Sequence, residues 1–209
     1  MLNVKIFCIA EAIILVTALG LAVLRSLPGP VFFPIRALAI AYADFFRGVP
    51  TILVIALLGF GAPALAVEGI PTSTTFWGIV SLVLIYTAYV SEVYRAGIES
   101  VHPSQEAAAR SLGLTRGQAL ASVVLPQAVR RVIPPLLNDF IGLQKDTALV
   151  GVLGSVEAFK QSQIEVSADF NFTHYLVAAT LFVAITIPLA RFTDWLVARD
   201  RRRRLAGAA

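Results

Sequence analysis

The sequence predicts an all-α integral membrane protein with five transmembrane helices, its N-terminus outside, its C-terminus cytoplasmic and a short helical loop on the cytoplasmic side. Three observations predict this. Of 209 residues, 57% are hydrophobic and 14% charged, with mean hydropathy +0.79, whereas a soluble domain carries about a quarter charged residues. The apolar residues gather in five runs of roughly 20, the length that crosses about 30 Å of hydrocarbon at about 1.5 Å per residue. Lys and Arg fall almost wholly on one set of connections between those runs.

The first run, residues 6–24, is interrupted only by Glu11. Lys5 ahead of it suits a signal peptide. The run is longer than a signal core of about 7–15 residues, however, and Arg25-Ser-Leu-Pro follows it in place of a small-residue cleavage site, so a retained helix is expected. The second run, 48–67, carries no charge and begins as early as Ala37 if Asp44 and Arg47 lie near a helix end. The third, 69–91, is polar from Pro71 to Thr75, which puts the helix proper near Phe76. The fourth, 132–154, holds Asp139, Lys145 and Asp146, and the fifth is 170–190. The expected helices are therefore 6–24, 37–62, 76–97, 129–154 and 170–196, within one transmembrane domain, 1–198, followed by a basic tail, 199–209. Backbone groups in lipid must be satisfied within the segment, which favours helices; alternating ten-residue barrel strands are absent from the pattern.

Orientation follows from Arg25, Arg36 and Arg47 after the first run, Arg95, Arg110, Arg116, Arg130 and Arg131 after the third, and Arg199 with Arg201 to Arg204 in the tail. Only Lys5 and Lys160 lie on the other side. Residues 199–204 alone account for the net charge of +4, so no distributed basic face exists to track nucleic acid. The tail reads as a stop-transfer and headgroup anchor. Cys8, the single cysteine, excludes an internal disulfide and reads as a packing residue. His102 and His174 fall on opposite predicted sides, so no metal site is indicated. No Gly-x-x-x-x-Gly-Lys-Ser/Thr loop and no Gly-Lys pair occurs; the chain does not itself hold nucleotide phosphates.

The loop 98–128 is polar and rich in alanine. Ser104 is expected to cap a short helix with Glu106 early and Arg110 late, which suits the helix dipole, and Gly113 to end it in the left-handed conformation. Thr115 then caps a second helix, 116–124, stopped at Pro126. A helix-turn-helix tethered at both ends to membrane helices is a poor DNA reader. A small-residue helix with one arginine suits a groove on another protein.

Ala107-Ala-Ala-Arg-Ser-Leu-Gly113, nine further residues and Val123-Val-Leu-Pro126 resemble the EAA loop of membrane subunits of ATP-binding-cassette (ABC) importers. Phe46-Arg-Gly-Val-Pro50, Tyr94-Arg-Ala-Gly-Ile98, Leu125-Pro-Gln-Ala-Val129, Pro134-Pro-Leu-Leu-Asn138 and Leu143-Gln-Lys-Asp-Thr147 resemble, in order, elements of the polar amino-acid uptake permeases. The resemblance implies a type I importer transmembrane domain in the bacterial inner membrane, not an enzyme. It implies as partners a second permease, identical or homologous, two cytoplasmic ATPases carrying ATP and Mg, and an extracytoplasmic solute-binding protein. It also assigns coupling to Glu106, Ala107, Ala108, Arg110, Leu112, Gly113, Leu125 and Pro126. One departure stands out: the family glutamate falls where this chain has Ala107, and Glu106 lies about 100° around the helix from that direction. Docking is expected without a specific salt bridge from that glutamate.

Ionisable groups at membrane depth default to functional hypotheses. Asn138 and Lys145 share one face of the fourth helix, Asp139 and Asp146 another, and with Gln144 and Thr147 they form the substrate or gate candidates. Lys145 beside Asp146 offers either the charges a zwitterion needs or a pair that neutralises itself. Glu92 joins this set, with a structural ion pair to Arg95 as the alternative. Pro134-Pro135 would bend the helix; Tyr86 and Tyr89 line a cavity or pack. The predicted function is half of the translocation pathway of an ATP-driven importer for polar or charged amino acids or a compatible solute such as ectoine. The alternatives are a membrane scaffold that recruits a cytoplasmic partner and a subunit of an ion-coupled carrier, although five unrepeated helices are few for the latter.

Overall fold

A computed structural model describes residues 2–27 and 29–206; the side chains of 200, 201 and 203–206, including most of the arginine tail, lie outside the described set. Among the described residues the secondary structure is entirely helical. In chain order the α-helices are α1 Leu2–Ser26, α2 Phe33–Gly48, α3 Thr51–Ala64, α4 Thr74–Glu99, α5 Pro103–Ser111, α6 Arg116–Ala119, α7 Leu125–Asp146, α8 Ala158–Asp169 and α9 Thr173–Ala206. A π-turn, Leu120–Val124, joins α6 to α7, and a 3-10 turn, Thr147–Leu153, extends α7.

Four of these helical units are long and apolar enough to cross a membrane: α1, α4, the run Arg116–Leu153 and α9. The fifth crossing is the pair α2 and α3, bent by 102°. The expected unbroken helix over 37–62 is thus two helices. Val49 (φ −95°, ψ 133°) and Pro50 (φ −57°, ψ 133°) are extended, because the proline ring disfavours a helical conformation in the residue before it.

One proline expectation is corrected. Pro126 does not stop the second loop helix. The chain widens so that the Leu125 N–H bonds to Leu120 O, five residues back, and Pro126, in the first turn of α7, gives up no donor that the helix needs. Pro134 and Pro135 lie inside α7, which begins four residues earlier than expected.

The core is built around α4, which packs against α1, α2, α3 and α7. α1 contributes a stripe at four-residue spacing, Ile6, Ala10, Ile14 and Ala18, all fully buried. Small residues let backbones approach in the absence of a hydrophobic drive between helices in lipid: a Cβ on Gly78 would collide with Val150, and one on Gly97 with Val132. Burial also explains two readings that sequence left open. Tyr86 is a packing residue whose hydroxyl reaches Asp146 Oδ2 (3.0 Å), whereas Tyr89 is partly exposed on a cleft.

The outer end is closed by a polar knot. Asn3 Nδ2 donates to Thr147 Oγ1 (3.1 Å) and Glu157 Oε2 (3.0 Å), and its Oδ1 accepts from the Ala158 N–H (3.0 Å). Glu157, 2% exposed, also accepts from the N–H groups of Phe159 and Lys160 and so caps α8. Glu11, beside the buried stripe of α1, is 8% exposed and so does not reach outer solvent.

Candidate functional site

At the opposite end from the Asn3 knot, α5 stands on a small apolar base of Val101, Val124 and Ala128, with Ala109 buried beneath it. Its cap differs from expectation. His102 is the N-cap, its Nδ1 accepting from the Ser104 N–H (3.2 Å), because Pro103 occupies the first helical position. Gly113 is left-handed (φ 89°) as the sequence predicts, and Thr115 forms a reciprocal capping box with Gln118. Arg131 donates to Ser100 O and ties α7 to the segment entering α5.

This base leaves an outward face of Ala107, Ala108, Arg110 and Leu112. Leu112 is 83% exposed, a large apolar side chain on a well-capped turn. Glu106 turns toward Arg116 Nε (3.7 Å) within the same loop. Leu125 and Pro126 are exposed beside the elbow, on the first turn of α7.

Above the elbow lies a cleft of about 320 Å³ lined by residues that include Arg47, Tyr89, Glu92, Arg131, Pro135 and Asp139. Glu92 is gripped from three helices: Arg25 Nη1 at 2.7 Å from α1, Arg47 Nη1 at 3.8 Å from α2, and Arg95 within α4, which also reaches Glu99. Asp139 Oδ2 is buried without a hydrogen-bond partner among the described residues. The cleft therefore combines cations held by Glu92 with an uncommitted carboxylate.

The remaining fourth-helix residues diverge. Gln144 accepts from Thr186 Oγ1 (3.0 Å) and joins α7 to α9; Thr147 donates to Gln144 O (2.7 Å) and is fully buried. Asp146 faces α4 and Tyr86. Lys145 faces the other way, into an apolar cleft of about 510 Å³ with Ala148, Phe159, Tyr175, Ala178, Ala179 and Phe182. Asn138 is exposed. The adjacent charges of Lys145 and Asp146 are thus on different walls, about 100° apart on the helix.

Residues 31–204 match the family model described as binding-protein-dependent transport system inner membrane component. The chain belongs to this family. Among curated relatives, this permease is 35% identical to a probable glutamine ABC transporter permease protein of Bacillus subtilis over 187 residues, 88% of this chain and 83% of the relative. It is 32% identical to the arginine transport system permease protein of the same organism, covering 80% and 76%. Its structure superposes on the crystal structure of an amino acid ABC transporter with histidines at TM-score 0.84 and 30% identity, covering 94% and 90% of the two chains. The inward-facing methionine ABC transporter shares the fold (TM-score 0.72, 18% identity, covering 95% and 92%). The permease is a non-catalytic, multi-pass inner-membrane subunit of an ABC importer.

Several structural anchors of the permease escape sequence reasoning. Arg25 and Arg47 read as positive-inside charges, and only the fold brings them to Glu92. Asn3 and Glu157 are 154 residues apart; the one local signal was a carboxylate at the start of a helix, where it caps free N–H groups.

Proposed function

We propose that this permease supplies half of the translocation pathway of an ATP-driven importer of polar or charged amino acids, with a compatible solute such as ectoine as the alternative cargo. A second permease, identical or homologous, completes the pathway. Two cytoplasmic ABC ATPases provide ATP and Mg chemistry, and an extracytoplasmic binding protein delivers cargo. The transmembrane unit is residues 1–198 and the tail 199–209.

The observation that carries this reading is the exposed, rigidly capped α5 surface standing on α7. Glu106, Ala107, Ala108, Arg110, Leu112 and Gly113 form the surface that an ATPase groove receives, and Leu125 and Pro126 carry its displacement into α7. Movement of α7 then shifts Asn138, Asp139 and Lys145, while Glu92 holds α1, α2 and α4 as one body. Gln144, Asp146 and Thr147 hold the helix in register rather than meeting cargo. The names of the relatives, for glutamine and arginine transport, support amino-acid cargo.

The test is to co-purify the permease with its ATPase, reconstitute both with the binding protein, and measure ATP-dependent uptake of labelled glutamine, arginine and ectoine. Cargo-stimulated hydrolysis with uptake is expected. A stable complex without stimulated hydrolysis makes the chain a scaffold; uptake that follows an ion gradient and ignores ATP makes it a carrier.

A further inference from the structure

One face of α9 carries an unbroken exposed stripe: Val177, Leu181, Ile185, Pro188, Phe192, Trp195, Arg199 and Arg202, at four- and three-residue steps. Leu181, Ile185, Phe192 and Trp195 are each about half exposed. The apolar part of the stripe ends in an aromatic pair, Phe192 and Trp195, with stacked rings 6.0 Å apart. The Arg199 guanidinium lies 5.1 Å over the Trp195 ring. Trp195, Ala198, Arg199 and Arg202 then enclose a cleft of about 240 Å³.

Depth identifies what meets this face. At the other end of α9 stand Tyr175, Phe172 and Phe170, the last two strongly exposed. Tyr175 and Trp195 are separated along the helix by about 30 Å, the thickness of the hydrocarbon layer. Aromatic residues gather at both membrane–water boundaries, so Trp195 lies at the inner one and the two guanidiniums lie at phosphate level. Apolar stripe, aromatic ring and paired cations follow one another in the order of acyl chain, glycerol and phosphate.

We propose that Trp195, Arg199 and Arg202 form a site for the phosphate headgroup of an anionic phospholipid of the inner leaflet, whose acyl chains lie along Val177, Leu181, Ile185 and Phe192. A second permease copy is a poorer occupant. If the stripe packed on the same stripe of a second copy about a two-fold axis along the membrane normal, Arg199 and Arg202 would face their own equivalents. Guanidiniums fit a phosphate through their planar donor fork, and the anionic surface attracts each of them.

The test uses the full-length permease carrying Trp77→Phe, which leaves Trp195 as the only tryptophan. Quenching of its fluorescence is measured in mixed vesicles containing brominated phosphatidylglycerol or brominated phosphatidylcholine. Phosphatidylglycerol is expected to bind preferentially, and R199Q and R202Q each to lower that preference by about fivefold while quenching by phosphatidylcholine persists, which shows that the variants remain folded and inserted. Equal quenching by the two lipids overturns the headgroup site, as does a preference that survives both substitutions together. Absence of quenching by either lipid overturns it in favour of a protein covering the stripe. Loss of the preference in millimolar inorganic phosphate at constant ionic strength overturns the lipid assignment in favour of a free-phosphate site.

Discussion

Arg25 and Glu92, 67 residues apart in sequence, meet at 2.7 Å and join the inner end of α1 to that of α4. The Arg25 side chain is 9% exposed and that of Glu92 22%, so the pair lies between a buried and a surface salt bridge. Removing one member of a buried pair costs about 3–5 kcal/mol, whereas surface pairs contribute about 0–1 kcal/mol. Glu92→Gln, which leaves Arg25 without its anion and Arg95 with Glu99 alone, is expected to destabilise the permease by about 2 kcal/mol between those limits. Arg47→Ala, at 3.8 Å and 40% exposed, should cost about 0.5 kcal/mol or less. Thermal unfolding in detergent checks the ordering; equal costs would mean that Arg25 is not the principal partner.

The elbow gives a prediction that separates docking from coupling. Gly113 has φ 89°, a conformation that costs a β-branched residue about 1–3 kcal/mol. Gly113→Val is expected to leave the ATPase bound but to uncouple its hydrolysis from uptake, because the turn after α5 no longer holds one shape. Leu112→Asp instead places a charge on the most exposed apolar contact of the elbow. It should abolish ATPase co-purification without altering the fold, since Leu112 is 83% exposed. Wild-type coupling in Gly113→Val would remove the turn from force transmission.

At the outer surface, Asp169 Oδ2 meets His174 Nε2 at 2.8 Å, and Asp169 Oδ1 accepts from the Asn171 N–H (2.9 Å). The His174 hydrogen bond, aided by that backbone bond, holds the Asp169 carboxyl below its ordinary value of 3.8. A depressed carboxylate contributes stability that is present above the unfolded pKa and lost as pH falls through the folded one. The turn between α8 and α9 should therefore loosen only below about pH 4. Limited proteolysis at Phe170 against pH reads this directly. Asp169→Asn should be cut more readily at neutral pH and lose the acid-dependent step; an unchanged profile would mean that the carboxylate does not hold the turn.

The five crossings, the loop between the third and fourth, and the turn at Gly113 were legible because each rests on local chemistry: run length, charge asymmetry and a glycine where φ must be positive. The break at Val49–Pro50 was written in the sequence as a proline, yet an uncharged run masked it. The roles of Lys145 and Asp146 were not legible. Their adjacency suggested shared work, and only the packing of α4 on one side of α7 and α8 with α9 on the other separates them. Likewise Glu157 finds Asn3, and Glu92 finds Arg25, through helix pairing that no local pattern encodes.

That separation leads to opposite expectations for two neighbouring charges. Asp146 accepts from the Tyr86 hydroxyl at 3.0 Å between α7 and α4. Asp146→Asn weakens a charge-assisted hydrogen bond and should cost about 1–2 kcal/mol of stability, with transport falling only as far as the amount of folded protein falls. Lys145 is exposed to its cleft, and no carboxylate lies within salt-bridge distance among the described residues. Lys145→Met keeps most of the aliphatic stem beside Phe159 and Tyr175 and removes only the charge. It should therefore assemble normally and change the concentration dependence or maximal rate of uptake. Measuring complex yield beside uptake for both variants distinguishes the cases: if Lys145→Met lowers yield and leaves uptake per complex unchanged, the ammonium is part of the packing and the cleft it faces is not on the path of cargo.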